Sequence, residues 1–338
     1  MRKDHKIPRG AVHRLTIESS VLEGNLLDDP TDRLIDVYVP AGTKAEGLPL
    51  LVDFVGFTAG GPAHTNWKNF GENVPERLDR LIGEGEMPPV AVAFPDCFSR
   101  LGGNQYINSA SIGCYEDYLL GEVVPHVEAK LGVGGPGRRG VFGKSSGGYG
   151  AIVHAMRHAD VWAAAACHSG DMAFELCYLV DLPKVLTELA LKHEGSIERF
   201  VRHFESALKP GEKDMLVLNF IAMAASYDPD PTQFLGIRLP CDPATAVMIP
   251  ERWANWQAHD PVHMVEAAAG NLHRLKALYI DCGDHDQFNL LFGARQLHGS
   301  LTRLGIAHRY EEFSDDHTAV DYRMDVSLPF LARALALD

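Results

Sequence analysis

Short apolar or β-branched runs bounded by turn residues recur along the chain, at 12–18, 34–39, 48–55, 90–94, 140–142, 161–167, 275–282 and 309–313. Runs of this length read as strands, and several are continuous enough to be buried on both faces of a parallel sheet. Between them, apolar residues at helical spacing predict helices over about 73–85, 115–131, 146–158, 287–304 and 319–335. From mid-chain onward strands and helices alternate. That order predicts an α/β architecture, with a mostly parallel central sheet of about eight strands, helices on both faces and a crevice outside the C-terminal strand ends.

The rhythm breaks over 171–271, where helical patterns at 182–192 and 197–208 follow one another without a strand and a proline-rich stretch runs from 229 to 261. We read this region as a cap-like insertion within a single domain spanning 1–338. The glycines of 132–137 mark a tight turn into the next strand.

Composition narrows the function classes. The chain has 338 residues, 46% of them hydrophobic, enough for a substantial core. Its formal charge of -14 repels phosphate backbones and anionic membrane, so nucleic acid and membrane are not expected partners. A small neutral substrate is indifferent to that field; a strongly anionic one needs a local basic patch that the sequence does not locate. The first ten residues are charged and proline-interrupted, unlike a signal peptide, and no stretch approaches about 18 continuous apolar residues. Six cysteines are scattered without a paired spacing. The expectation is a cytoplasmic protein with free thiols; a homo-oligomer is left open.

The most informative local signal is Gly143-Lys144-Ser145-Ser146-Gly147, set between a buried strand and a helical pattern. This is the G-x-S-x-G arrangement of a nucleophile elbow, where a serine sits on a strained strand-to-helix turn and bulky residues two places away would collide. Ser146 has Lys144 and Gly148 as the corresponding flanks, so Ser145 is the candidate nucleophile. The Ser146 N–H, at the start of the following helix, is a candidate oxyanion donor. The same residues could end a phosphate-binding loop, but that motif needs glycine at 138, where the chain has Arg138.

A triad in this fold runs Ser, then Asp or Glu, then His. After the run at 275–282 come Asp284, His285 and Asp286, and after the run at 309–313 comes His317. An imidazole, with a solution pKa of about 6.5, can take a serine proton near neutrality and return it to a leaving group. His317 is thus the candidate base. Asp286 is favoured over Asp284, which sits at the turn itself, and over Asp281, which should point into the sheet. The loop Gly56-Phe57-Thr58-Ala59-Gly60-Gly61 should supply the second oxyanion donor, assigned to the Phe57 N–H. His154 and His158 read as packing or surface residues. The acidic and histidine side chains near 281–286 and 317 lack any metal-ligand spacing, so no metal is assigned.

With these residues in place, the chain resembles the esterase D and enterochelin esterase family of α/β-hydrolases, which also holds S-formylglutathione hydrolases, feruloyl esterases and mycolyltransferases. The resemblance rests on 143–151, on Phe94-Pro95-Asp96-Cys97 with Gly102-Gly103-Asn104-Gln105-Tyr106, on Tyr115-Glu116-Asp117-Tyr118 leading to Val124-Pro125-His126, on 282–286, and on Asp316-His317. It implies the α/β-hydrolase fold, Ser145, Asp286 and His317 as triad, and no cofactor. Family members usually carry His-Gly where this chain has Val55-Gly56. The expected activity is hydrolysis of small-molecule carboxylic esters through an acyl-enzyme. Acyl transfer or thioester hydrolysis on the same triad is the alternative, and a non-catalytic hydrolase-like binding domain is the rival from another class. Product analysis with added alcohol separates hydrolysis from transfer.

Overall fold

The structure is a computed structural model and describes residues 6–211 and 213–336. Eight strands make one sheet: β1 (Ala11–Glu18), β2 (Asp32–Val39), β3 (Leu50–Phe54), β4 (Ala91–Pro95), β5 (Arg139–Lys144), β6 (Ala164–His168), β7 (Ala277–Gly283) and β8 (Arg309–Phe313). Their spatial order is β1-β2-β4-β3-β5-β6-β7-β8. β2 runs antiparallel to both neighbours and the other five pairings are parallel. Each of the eight apolar runs is a strand in this sheet, with ends shifted by at most three residues. β3, β4, β6 and β7 are buried at every position, as runs sandwiched between helix layers should be.

Helices of eight residues or more are α1 (Val74–Gly83), α2 (Val124–Leu131), α3 (Ser146–Arg157), α4 (Leu182–His193), α5 (Ile197–Ser206), α6 (Asp214–Tyr227), α7 (Pro250–Gln257), α8 (Leu290–Arg303) and α9 (Met324–Ala336). Asn73 and Glu76 close a reciprocal capping box that starts α1. Val74 and Leu78 of α1 join Leu328 and Leu331 of α9 against one sheet face. Ile152 of α3 and Leu297 of α8 belong to the core on the other. The chain leaves β3 toward β4 and returns to β5 on the other side of β3. The sheet therefore divides there, and a crevice opens at the C-terminal ends of β3 and β5.

Two expected elements differ, and one helix is unexpected. The helix expected over 115–131 is broken into a short helical turn, a π-helical turn at Tyr118–Val123 and α2. Pro125 in the first turn of α2 has no N–H to donate, and the wider turn absorbs the missing bond. The pattern at 319–335 opens with Ala319 at φ 56° and a 3-10 turn, Val320–Arg323, before α9 begins. Within 171–271, α6 is an element the sequence pattern does not predict. Its sequence is apolar on nearly every face, so it carries no helical period, and the structure buries it all round. Val185, Phe200, Ile221 and Trp256 of the 171–271 region share the buried cluster that holds β3 and α3.

Candidate active site

β5 enters α3 through Ser145, whose backbone lies at φ 59° and ψ -126°. A non-glycine residue in this region costs about 1–3 kcal/mol and persists only where its surroundings enforce it. The enforcement comes from β3. A Cβ on Gly147 would overlap the Phe54 carbonyl, and one on Gly143 would overlap the carbonyl oxygens of Phe54 and Gly147. Only glycine at both places lets the turn press against β3. Ser145 is partly exposed, whereas Ser146 is 1% exposed and its hydroxyl is committed, accepting from Gln105 Nε2 at 2.9 Å and donating to Asp171 Oδ2 at 3.3 Å.

The loops after β7 and β8 are stitched together. Asp284 N–H donates to the Phe313 carbonyl at 2.8 Å and His285 N–H to that of Asp315 at 3.1 Å. Gly283 permits the approach, since a Cβ there would run into the Asp315 carbonyl. The result places His317 Nδ1 at 2.7 Å from Asp286 Oδ2, with both residues buried. Asp286 Oδ1 also accepts the Phe288 N–H at 2.9 Å, and the Phe288 ring stands edge-on to the imidazole with centroids 4.9 Å apart. Gln287 Oε1 accepts the His317 N–H at 3.0 Å. Asp284 is turned outward and pairs with its neighbour His285 at 2.5 Å.

A cavity of about 510 Å³ brings these parts together: Ser145, Ser146, His317 and Phe57 all line it. The Ser146 N–H is one of the unpaired first amides of α3. Phe57 is held close by Gly103, whose N–H donates to the Phe57 carbonyl at 2.5 Å. The 171–271 region supplies another wall, including Tyr178, Met215, Leu216 and Asn219.

A buried hydroxyl–imidazole–carboxylate line lies elsewhere in the molecule, and nothing in the sequence marked it. His168 Nδ1 lies 2.7 Å from Asp281 Oδ1 and His168 Nε2 lies 2.8 Å from Ser327 Oγ on α9. All three are buried and none lines the cavity. Burial opposes ionisation of Asp281, but His168 and Arg323 outweigh it and hold the carboxyl below its ordinary range. This line ties β6, β7 and α9 together and offers no path to a substrate.

Asp171 is a further cavity-lining group that sequence reasoning left unassigned. It accepts from Tyr178 Oη at 2.8 Å and from Ser146, and burial pushes its carboxyl up against those hydrogen bonds. Gln105, which binds Ser146, stands within the stretch 102–106 quoted above. His154, read as a packing residue, is fully buried on α3. Trp162 Nε1–H donates to its Nδ1 at 3.2 Å, so Nε2, at 2.7 Å, carries the proton toward the Tyr106 carbonyl.

Among the described residues one acidic group could gather around a cation, namely Glu175, Asp260 and His263. It lies off the cavity, and Asp260 already accepts the N–H groups of Ala173, Phe174 and Val262.

A family model described as "Putative esterase" matches residues 30–328. No curated protein matches the chain in sequence. Among solved structures, a ferulic acid esterase is 20% identical, with a TM-score of 0.62 over 96% of this chain and 99% of that one. The fluorophosphonate-binding serine hydrolase F of Staphylococcus aureus is 18% identical, TM-score 0.57, over 98% and 100% of the two chains. The S-formylglutathione hydrolase of the same organism is 16% identical, TM-score 0.57, over 97% and 99%. At such identities the likeness establishes the fold, that of the α/β-hydrolase esterases.

Proposed function

The chain belongs to the Putative esterase family, a family of carboxylic ester hydrolases, and from that membership we propose that it cleaves its ester with Ser145 as nucleophile, His317 as general base and Asp286 as the carboxylate that orients the imidazole. Ser145 Oγ attacks the carbonyl carbon while His317 Nε2 takes its proton. The negative charge that develops on the carbonyl oxygen faces the N–H groups of Ser146 and Phe57. Collapse of the tetrahedral intermediate expels the alcohol, which leaves with the proton held by the imidazolium. Water, deprotonated by His317, then attacks the acyl-enzyme and releases the acid. Asp286 fixes the tautomer through Nδ1–H and stabilises the imidazolium without taking its proton.

The observation that carries this reading is the buried 2.7 Å Asp286–His317 pair at the wall of the same cavity onto which the strained Ser145 turn opens. We read the 171–271 insertion as a cap over that cavity, within one domain. No helix among the described residues is long and apolar enough to cross a membrane. All six thiols are free, which fits a reducing compartment such as the cytoplasm.

Steady-state hydrolysis of p-nitrophenyl acetate tests the assignment. Ser145→Ala should lose nearly all turnover, and Asp286→Asn should lower kcat about 10²–10⁴-fold with the fold retained. A Ser145→Ala protein that is folded and turns over at the wild-type rate contradicts it.

A further inference from the structure

The charged groups that line the cavity do not balance locally. Its carboxylates are answered: Asp321 pairs with Lys68 Nζ at 2.6 Å, Asp181 with Lys184 Nζ at 2.8 Å, and Asp171 accepts from Tyr178 and Ser146. Lys144, the residue before the nucleophile, lines the cavity from the end of β5, and among the described residues no carboxylate lies within ion-pair distance of it. The carboxylates nearest in charge effect are Asp321, Asp286 and Asp316. The first two are bound to Lys68 and His317, and Asp316 Oδ1 accepts the Thr318 N–H at 2.6 Å. Lys68 adds a like charge nearby. Burial pulls the Lys144 ammonium below the ordinary lysine range, against the pull of those carboxylates. A half-buried cation without a counter-ion is a cost that a bound anion would remove.

A second donor lines the same cavity. His64 Nδ1 is held by the buried carboxylate of Asp53 at 2.5 Å, which leaves Nε2 as the free nitrogen of the ring. Burial opposes its protonation, but Asp53 outweighs burial and the imidazole is held above its ordinary range. Resting on the esterase reading above, we propose that the preferred substrates are esters carrying an anionic group, a carboxylate or a group of similar charge, which Lys144 and His64 bind beside Ser145. The formal net charge of -14 disfavours such molecules at long range, so the selectivity is built locally.

Two matched ester pairs test this, one with the anion on the acyl side (monoethyl glutarate against ethyl pentanoate) and one with it on the alcohol side (para-acetoxybenzoate against para-acetoxybenzamide). The readout is the kcat/KM ratio of charged to neutral ester, measured by pH-stat for wild type, Lys144→Met and Lys144→Arg. In at least one pair the wild-type ratio should exceed that of Lys144→Met by about tenfold or more, with Lys144→Arg recovering most of the difference. Equal ratios for wild type and Lys144→Met in both pairs overturn the proposal while leaving the esterase reading intact, since the neutral esters report that reading by themselves. Should no ester be turned over, calorimetric binding of glutarate decides: weaker binding to Lys144→Met supports the site, and equal or absent binding overturns it.

Discussion

At Ser145 the chain holds a backbone conformation that serine disfavours, and two glycines are what make it tenable. Gly147 has no room for even a methyl group, because Phe54 O occupies the place of its Cβ. Gly147→Ala should therefore destabilise by the upper end of about 1–3 kcal/mol or more and depress activity, as urea unfolding and ester hydrolysis will show. Gly299, inside α8, has open space around the same position. Gly299→Ala should stabilise by about 0.4–1 kcal/mol in the same assay, through helix propensity alone. The contrast separates a glycine required by contact from one merely tolerated. The elbow was legible in the sequence for this reason: its constraint is steric and local, so it leaves a spacing of residue types. Lys144, His64 and Asp171 were not legible as a group: Lys144 fills a variable position of the elbow motif, and nothing in the sequence joins it to the other two until the fold brings them to one cavity.

Among elements, short apolar runs bounded by turn residues and amphipathic stripes were readable, and a helix without a polar stripe was not. All eight strands were legible because buried runs between turn residues differ sharply from amphipathic helix. α6 was invisible, since a helix buried on every side has no polar stripe to reveal its turn. The π-helical turn before α2 required weighing one proline against an otherwise continuous pattern. The buried Ser327–His168–Asp281 line was hidden because Ser327 sits within an ordinary helical sequence. Its role is connection, so Ser327→Ala should cost about 1–3 kcal/mol of stability by leaving His168 Nε2 without a partner. Ester turnover by the folded variant should persist; its loss at retained fold would show that this line takes part in the chemistry.

Across the whole molecule, burial couples stability to pH. His154 is buried and its pKa is pushed down to about 4 by desolvation, against an ordinary value of 6.5. The unfolded chain therefore binds a proton there that the native state refuses. Its contribution is complete above about pH 6.5 and declines as pH falls toward 4, at up to about 1.4 kcal/mol per pH unit. Urea titrations across that window should show the slope, and His154→Gln should make it shallower. The 171–271 region acts at this scale too: it contributes to the cavity wall while sharing the core behind α3, so the shape of the site depends on packing far from the reacting atoms.

The account rests on one hydroxyl being made nucleophilic by a distant pair of side chains. Intact-mass spectrometry after treatment with a fluorophosphonate, followed by peptide mapping, tests that most directly. The prediction is a single adduct on Ser145, absent from Ser145→Ala and formed far more slowly by His317→Ala. A folded wild-type protein that takes up no adduct, or an adduct that persists unchanged in Ser145→Ala, would contradict it.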